Sequence, residues 1–278
     1  MSHAQVQKHF KVDDNSKSKK ISLNYASTSG ICYLGPSETQ ESIAVYSNRD
    51  IDEFHHSFSH ELHGANYAIS LKLEDKNTES FSQSISSKVF SQTNSENNVW
   101  KIYLTKNKPY DIDLEYGIGQ AIIDLSGLSV SSFKVNTGSA DINLGYMSDI
   151  PNQIEMESFH VTVDLGNVVV RKLNMARAKN IVAELSFGNM LLDMTEKPSR
   201  KTNIMASVGA GNLEIFVPKN DCPTMVRIKN SMFCDVKLTK SFIEIDDNIF
   251  VNHTGDDENL LVFDVDVSVG NIVFKEKK

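Results

Sequence analysis

Four histidines lie close together in the first quarter of the chain, and histidine is the commonest metal ligand among side chains. They are His55, His56, His60 and His63. On a helix, His56, His60 and His63 would share one face, as zinc ligands can. The segment from His60 to His63, His-Glu-Leu-His, is one residue shorter than the zinc-protease pattern His-Glu-x-x-His. On a strand, His56 and His60 would share a face with apolar neighbours, and a structural role is the favoured interpretation.

Acidic residues between the apolar positions of the second half form another candidate site. Stacked strands would bring such carboxylates together, and calcium could then bind through their oxygen atoms. They do not recur at one position of the pattern, however: Asp124 lies five residues after a glycine, whereas Asp141 lies three after one. A solvated face is therefore favoured. We predict no catalytic residue and no cofactor, and the chain is expected not to be an enzyme.

Three cysteines are too few for a disulfide framework in a chain of 278 residues. They are Cys32, Cys222 and Cys234. Cys222 and Cys234 flank a short insertion and could pair if the protein is exported. Two half-buried thiols are the favoured alternative.

Six glycines mark copies of one pattern of residues. Apolar residues stand three before each glycine and two and four after it, with polar residues between them. Alternation with period two predicts half-buried β-strands, because successive side chains point to opposite faces. The six are Gly119, Gly138, Gly166, Gly188, Gly211 and Gly270.

The apolar phase slips by one residue at each of these glycines. A straight strand would then turn its second half inside out, so we predict a structural corner at each glycine that keeps both arms on one core. The glycines are 19 to 28 residues apart, except for 59 residues between Gly211 and Gly270. This spacing fits a hairpin turn followed by a connection, and it fits a solenoid whose copies stack on one another.

A resemblance favours the solenoid. The segments VNTGSADINLG, VDLGNVVV, ELSFGNMLLDM and ASVGAGNLEIFVP resemble the toast-rack β-solenoid domains of bacterial envelope proteins, which often carry the label "putative adhesin". Related domains occur in envelope-stress regulators. The resemblance covers residues 105–278 and implies a β-helix-like stack in an envelope setting, with no catalytic residue to transfer. The interval between Gly211 and Gly270 departs from the regular spacing.

We therefore predict an all-β fold, a single-stranded β-solenoid with a β-rich N-terminal capping segment. Residues 1–20 are expected to be a polar tail, residues 21–104 to cap or extend the solenoid, and residues 105–278 to form the repeat solenoid. Within the second segment, Gly35 with Pro36 predicts a turn.

Charge and hydropathy limit the classes of partner that the protein could bind. The net charge of −8 lies wholly on residues 109–278, which argues against nucleic acid and against anionic lipid. No apolar run approaches the ~18 residues of a membrane span. The first residues, Met-Ser-His-Ala-Gln, lack the basic and apolar regions of a signal peptide. The protein is thus cytoplasmic, or it is exported to the periplasm or cell surface and a leader was removed; the resemblance favours export.

The leading functional hypothesis is a non-enzymatic binding or scaffolding module of the bacterial cell envelope, meeting a protein or a glycan. The edges of the solenoid would also allow a homo-oligomer. The alternatives are a carbohydrate-active enzyme on a β-solenoid and a sensor domain of an envelope-stress signalling system. A groove that gathers several acids with aromatic rings would favour the enzyme.

Overall fold

The chain is almost entirely strand in the computed structural model, which describes residues 7–76, 98–218, 222–229, 232–252 and 258–276. Two short 3-10 turns, Ile51–Glu53 and Leu173–Ala176, interrupt the strands. The all-β prediction is confirmed. The strands are β1 (Gln7–Asp13), β2 (Lys20–Ser37), β3 (Glu41–Ser47), β4 (Phe54–His63), β5 (Asn66–Asp75), β6 (Val99–Thr105), β7 (Pro109–Asp124), β8 (Ser129–Gly145), β9 (Met156–Arg171), β10 (Ala178–Asp193), β11 (Thr202–Val217), β12 (Thr224–Lys229), β13 (Phe233–Lys237), β14 (Ile243–Asp246), β15 (Ile249–Val251) and β16 (Leu261–Glu276).

Seven long strands stack in parallel in the order β2, β7, β8, β9, β10, β11 and β16. Residues on the two sides of a corner do not pair with each other, as they would in a hairpin. They pair with the equivalent residues of the neighbouring copies, as Leu185 does with Val163 and Val208. The solenoid prediction is confirmed, because each long strand is one bent layer of a stack rather than half of a hairpin.

The bends coincide with a column of glycines in left-handed backbone conformation. Gly188 lies between Gly166 and Gly211 in the parallel ladder, and its φ is 135°. A Cβ atom on Gly188 would lie 1.8 Å from the carbonyl oxygen of Gly166. Only glycine combines this backbone conformation with so close an approach. The same column contains Gly30 at one end and Gly270 at the other.

The assignment of Gly138 to this column was wrong. The ladder pairs Gly119 with Ala140, two residues further along β8. Gly138 lies instead beside Gly117, two residues before the corner, where an added Cβ would lie 3.2 Å from the carbonyl oxygen of Gly117. The prediction placed the corner of β8 two residues too early, because this strand has alanine at the corner and a glycine two residues before it. The pairing of β7 with β8 also contains a one-residue register shift near its start, because Tyr110 pairs with Val130 and Asp111 with Ser132.

Both arms of each long strand bury alternate side chains in one hydrophobic core. In β10, Leu185 lies before the corner and Met190 and Leu192 lie after it, and all three are buried. Phe133 and Phe159 stack inside the core with ring centroids 5.2 Å apart. The corner therefore keeps the apolar side chains of both arms on the inside.

Each end of the stack is covered by a layer made of two shorter strands. At the N-terminal end, β5 pairs with the first arm of β2 and β6 with the second. At the other end, β12 and β13 pair in the same way with β16. Antiparallel partners follow, including β4 on β5, β3 on β6 and β15 on β12.

The stack is continuous across the long interval after Gly211, because β16 pairs directly with β11. The prediction of a turn at Gly35 and Pro36 was wrong, since both residues lie within β2. Pro36 is tolerated because the pairing of β2 with β7 ends at Leu34. Among the described residues, β6 is then the one strand that pairs with this end of β2.

Candidate functional site

The four histidines lie on or at the end of β4, which is a strand. His56 and His60 point to one face with Phe58, whereas His63 points to the other face. The three residues of the metal hypothesis, His56, His60 and His63, therefore do not share a face. A helix would have brought them together, but β4 pairs along its whole length with β5.

His56 and His60 have aromatic partners. The ring of His56 lies 5.7 Å from the ring of Phe10, and the ring of His60 lies 5.8 Å from that of Tyr67. The hydroxyl of Tyr67 is 2.9 Å from Nδ1 of His60. Within the described residues, no group of three or more His, Cys, Asp or Glu side chains is arranged to hold a metal ion.

An asparagine ladder runs beside the glycine column on the outside of the stack. Asn189 donates to Asn167 (3.0 Å), Asn212 donates to Asn189 (2.6 Å), and Asn271 donates to Asn212 (2.6 Å). Asp141 begins the ladder by accepting from the backbone and side-chain nitrogens of Asn167. This carboxylate thus has a structural partner.

An apolar ridge runs along the other side of the glycine column. The residue just before the corner is Leu165 in β9, Phe187 in β10, Ala210 in β11 and Val269 in β16, and these four pair in succession. Leu165, Phe187 and Val269 are 45%, 58% and 52% exposed. Neighbouring strands are ~4.8 Å apart, so these side chains form one row, in which Ala210 is partly buried and the other three are exposed. We call this row the corner ridge.

A hollow of about 630 Å³ lies on the outer sheet face near the N-terminal end. Tyr33 of β2 and Tyr103 of β6 line it. Gly35 of β2 lies between Tyr103 on one neighbouring strand and Asp124 on the other. Because Gly35 has no side chain, the layer of side chains on this face of the sheet has a gap at this point. We call this hollow the tyrosine groove.

Polar groups surround the rings of the tyrosine groove. The ammonium of Lys101 lies 5.9 Å from the centre of the Tyr33 ring. Asp124 closes one side, and its Oδ1 accepts from the backbone nitrogens of Ser126 (2.9 Å) and Met147 (3.2 Å). The groove therefore combines two aromatic rings with one cation and one fixed carboxylate.

Sequence analysis missed both surfaces. The signal was present in the alternation, because Tyr33 and Tyr103 occupy polar-phase positions in strands whose other phase is buried. Phe187 is likewise an aromatic residue at an outward position. The proximity of Tyr33 to Tyr103 could not be inferred from the sequence, since it depends on which strands are neighbours.

All three cysteines lie in described parts of the chain, and each is a free thiol. Burial raises the pKa of Cys32 to about 12 and that of Cys222 to about 11. Cys234 is half-buried on β13, where burial also raises its pKa. These thiols are therefore packed and protonated near neutral pH. The favoured alternative expected Cys222 and Cys234 to be half-buried thiols; Cys234 is half-buried, whereas Cys222 is fully buried.

Comparison with known proteins agrees with this fold. The sequence model of the family described as "N-terminal domain of toast_rack, DUF2154" matches residues 2–170, and the chain belongs to this family. The resemblance predicted from the repeats is confirmed. The match includes the segment before residue 105, which the resemblance had left out.

Two solved structures are similar to the chain at low identity. A "putative cell adhesion protein" from Clostridium sporogenes ATCC 15579 has 16% identity and a TM-score of 0.48, with 98% of this chain and 100% of that chain covered. A "putative adhesin" from Bacteroides fragilis NCTC 9343 has 13% identity and a TM-score of 0.36, with 98% and 97% covered. No curated protein matches the sequence. Among the described residues, no helix has the length and apolar character needed to span a bilayer.

Proposed function

We propose that the protein is a non-enzymatic binding or scaffolding module of the bacterial cell envelope, exported and used to hold a protein or glycan. The corner ridge is the observation that carries this proposal. Contiguous exposed apolar rows are uncommon on soluble proteins and mark interaction surfaces. Membership of the toast-rack family supports the envelope setting.

The shape of the corner ridge favours a protein as its partner. Leu165, Phe187 and Val269 lie with Ala210 in one row of apolar side chains, which is bordered by the amides of the asparagine ladder. A partner with an apolar patch could cover this row, and large apolar side chains dominate the binding energy of protein interfaces. Rigid positions on paired strands also reduce the entropy lost on binding.

The enzyme alternative would require more than the tyrosine groove contains. Asp124 is the single carboxylate among the described residues that line the groove. Most glycoside hydrolases use two carboxylates, one on each side of the scissile bond. The hydrogen bonds that Asp124 accepts from the loop backbone favour a structural role. These features support binding rather than cleavage.

A binding experiment with ridge variants tests the proposal. Isolated bacterial envelopes would be titrated with the purified protein, with Phe187→Ser, and with Met205→Ser as a matched control. Met205 is 52% exposed but lies on the outer face of the first arm, away from the corner ridge. We expect Phe187→Ser to weaken binding about tenfold and Met205→Ser to leave it unchanged.

Two results would contradict the proposal. The first is envelope binding that is absent, or that Phe187→Ser and Met205→Ser reduce equally. The second is the release of new reducing ends when the protein is incubated with envelope polysaccharides, since this would identify an enzyme.

A further inference from the structure

We propose that the tyrosine groove is a saccharide-binding site, with Tyr33 and Tyr103 as the stacking surfaces. This inference rests on the proposed function, because it names a glycan as one ligand of the binding module. It concerns a different surface from the corner ridge, so the two can be tested separately.

The two tyrosines of the groove lie on strands that are paired on both sides at these residues. Tyr103 of β6 pairs with Gly35 of β2, and Tyr33 of β2 pairs with Lys101 of β6 and Ile122 of β7. The rings stand on rigid strands rather than on loops. A volume of about 630 Å³ falls within the ~300–1,000 Å³ typical of ligand sites.

The ring of Tyr103 is held in place before any ligand binds. Tyr46 of β3 contacts the ring of Tyr103 edge to face, with centroids 5.7 Å apart. On Tyr46 in turn lies the ammonium of Lys8, 5.3 Å from the ring centre. Tyr103 is 36% exposed, so it keeps much of its surface available to a ligand. Such a preorganised ring loses little entropy on binding.

Aromatic faces and polar edges together suit a sugar ring. The face of an aromatic ring carries partial negative charge, which attracts the weakly positive C–H groups on the flat side of a pyranose. Hydroxyl groups at the rim of the sugar can then accept from Lys101 and donate to Asp124. The groove supplies both kinds of contact within one hollow.

Other ligand classes fit this surface less well. An extended peptide that adds a strand needs a free sheet edge, whereas the backbones of Tyr33 and Tyr103 are paired on both sides. A nucleic acid needs a basic footprint, whereas the protein carries a net charge of −8. A neutral saccharide needs neither an edge nor a strong positive field.

Gly35 offers a test that leaves the rings intact. Its φ is not in the left-handed region, and an added Cβ would meet only Asp124, at 3.8 Å or more. A valine at this position is therefore compatible with the strand, and it would fill the floor of the groove. We expect Gly35→Val to fold normally while blocking the site.

The experiment is calorimetric titration of the full chain with chitotetraose, cellotetraose and maltotetraose at millimolar concentrations. We expect at least one of them to bind, and Gly35→Val and Tyr103→Ala each to weaken it about tenfold or more. Tyr103→Phe retains the ring and should retain most of the affinity. The matched control is Leu191→Ala, since Leu191 lies on the same outer row as Tyr33 but four strands away.

The outcomes separate this inference from the proposed function. No binding of any of the three sugars, or binding that Gly35→Val does not weaken, would overturn the saccharide site while leaving envelope binding by the corner ridge intact. Binding of an unrelated tetrapeptide that competes at the groove would also overturn it. Cleavage of a bound sugar would instead support the site and contradict the non-enzymatic function.

Discussion

Gly211 lies beside Gly188 in neighbouring strands, and a Cβ atom on Gly211 would lie 1.7 Å from the carbonyl oxygen of Gly188. The φ of Gly211 is 145°, so a side chain here would be strained even without the contact. The backbones at the corner are in contact with each other, and the close stacking of the layers depends on the missing side chains.

Gly211→Ala should therefore destabilise the fold by more than about 3 kcal/mol, because backbone atoms of β10 cannot move away cheaply. Gly64→Ala is the control, since Gly64 has a φ of +63° but nothing within 4 Å of an added Cβ. It should cost only about 1–2 kcal/mol for the left-handed conformation. Urea unfolding curves measure both, and equal losses would show that the contact is unimportant.

The hydrogen bonds of the asparagine ladder should stabilise the fold. Asn212→Ala removes one bond to Asn189 and one from Asn271, each 2.6 Å long. We expect a loss of about 1–2 kcal/mol, because these bonds are partly replaced by water. Asn136→Ala is the control, since Asn136 forms no side-chain hydrogen bond with any described residue. A change as large in the control would contradict this role.

The three thiols should react in an order set by burial. Cys234 is the most exposed, Cys222 is buried, and Cys32 is buried with a pKa of about 12. Because the thiolate is the reactive form, iodoacetamide near neutral pH should label Cys234 first and Cys32 only after unfolding. Mass spectrometry of digests gives the order. A thiol titration in denaturant that detects one thiol instead of three would contradict the free state of Cys222 and Cys234.

Stability should fall in alkaline solution. The pKa of Cys32 is raised from 9.0 to about 12, and burial also raises the pKa of Tyr110 and Tyr116. At a pH between the ordinary and the raised pKa of such a group, the unfolded chain has lost a proton that the folded chain keeps. The free energy of unfolding therefore decreases as pH rises above about 9. Urea midpoints from about pH 8 to pH 10 would show the decrease. In Cys32→Ala the slope should be smaller, and an unchanged slope would contradict the assignment.

The repeat pattern predicted the fold because period-two alternation and glycine corners are local properties. The buried rows at Leu185 and Met190 follow directly from it. Register was harder, since Gly138 and Ala140 differ by two residues and both keep the alternation intact. The pairing of β8 with β7 decides between them through contacts that are distant in sequence. The division at residues 20 and 104 remains a prediction.

The candidate sites were less predictable than the fold. The metal hypothesis for the histidines depended on helical spacing, and β4 is a strand because it pairs with β5. The tyrosine groove joins Tyr33 and Tyr103, which are far apart in sequence and meet only because β6 lies against β2. A side chain at an outward strand position signals exposure, but its neighbours are set by strand order.

The position of β16 bears on how the protein is made. This strand follows β12 and β13 in sequence, yet it lies between β11 and the layer that they form, and it pairs with all three. A ribosome releases β12 and β13 before it releases the strand on which they rest. The final two layers can thus assemble only after β16 has been released, and a chain cut short before Leu261 would leave β11 as an unprotected edge open to aggregation.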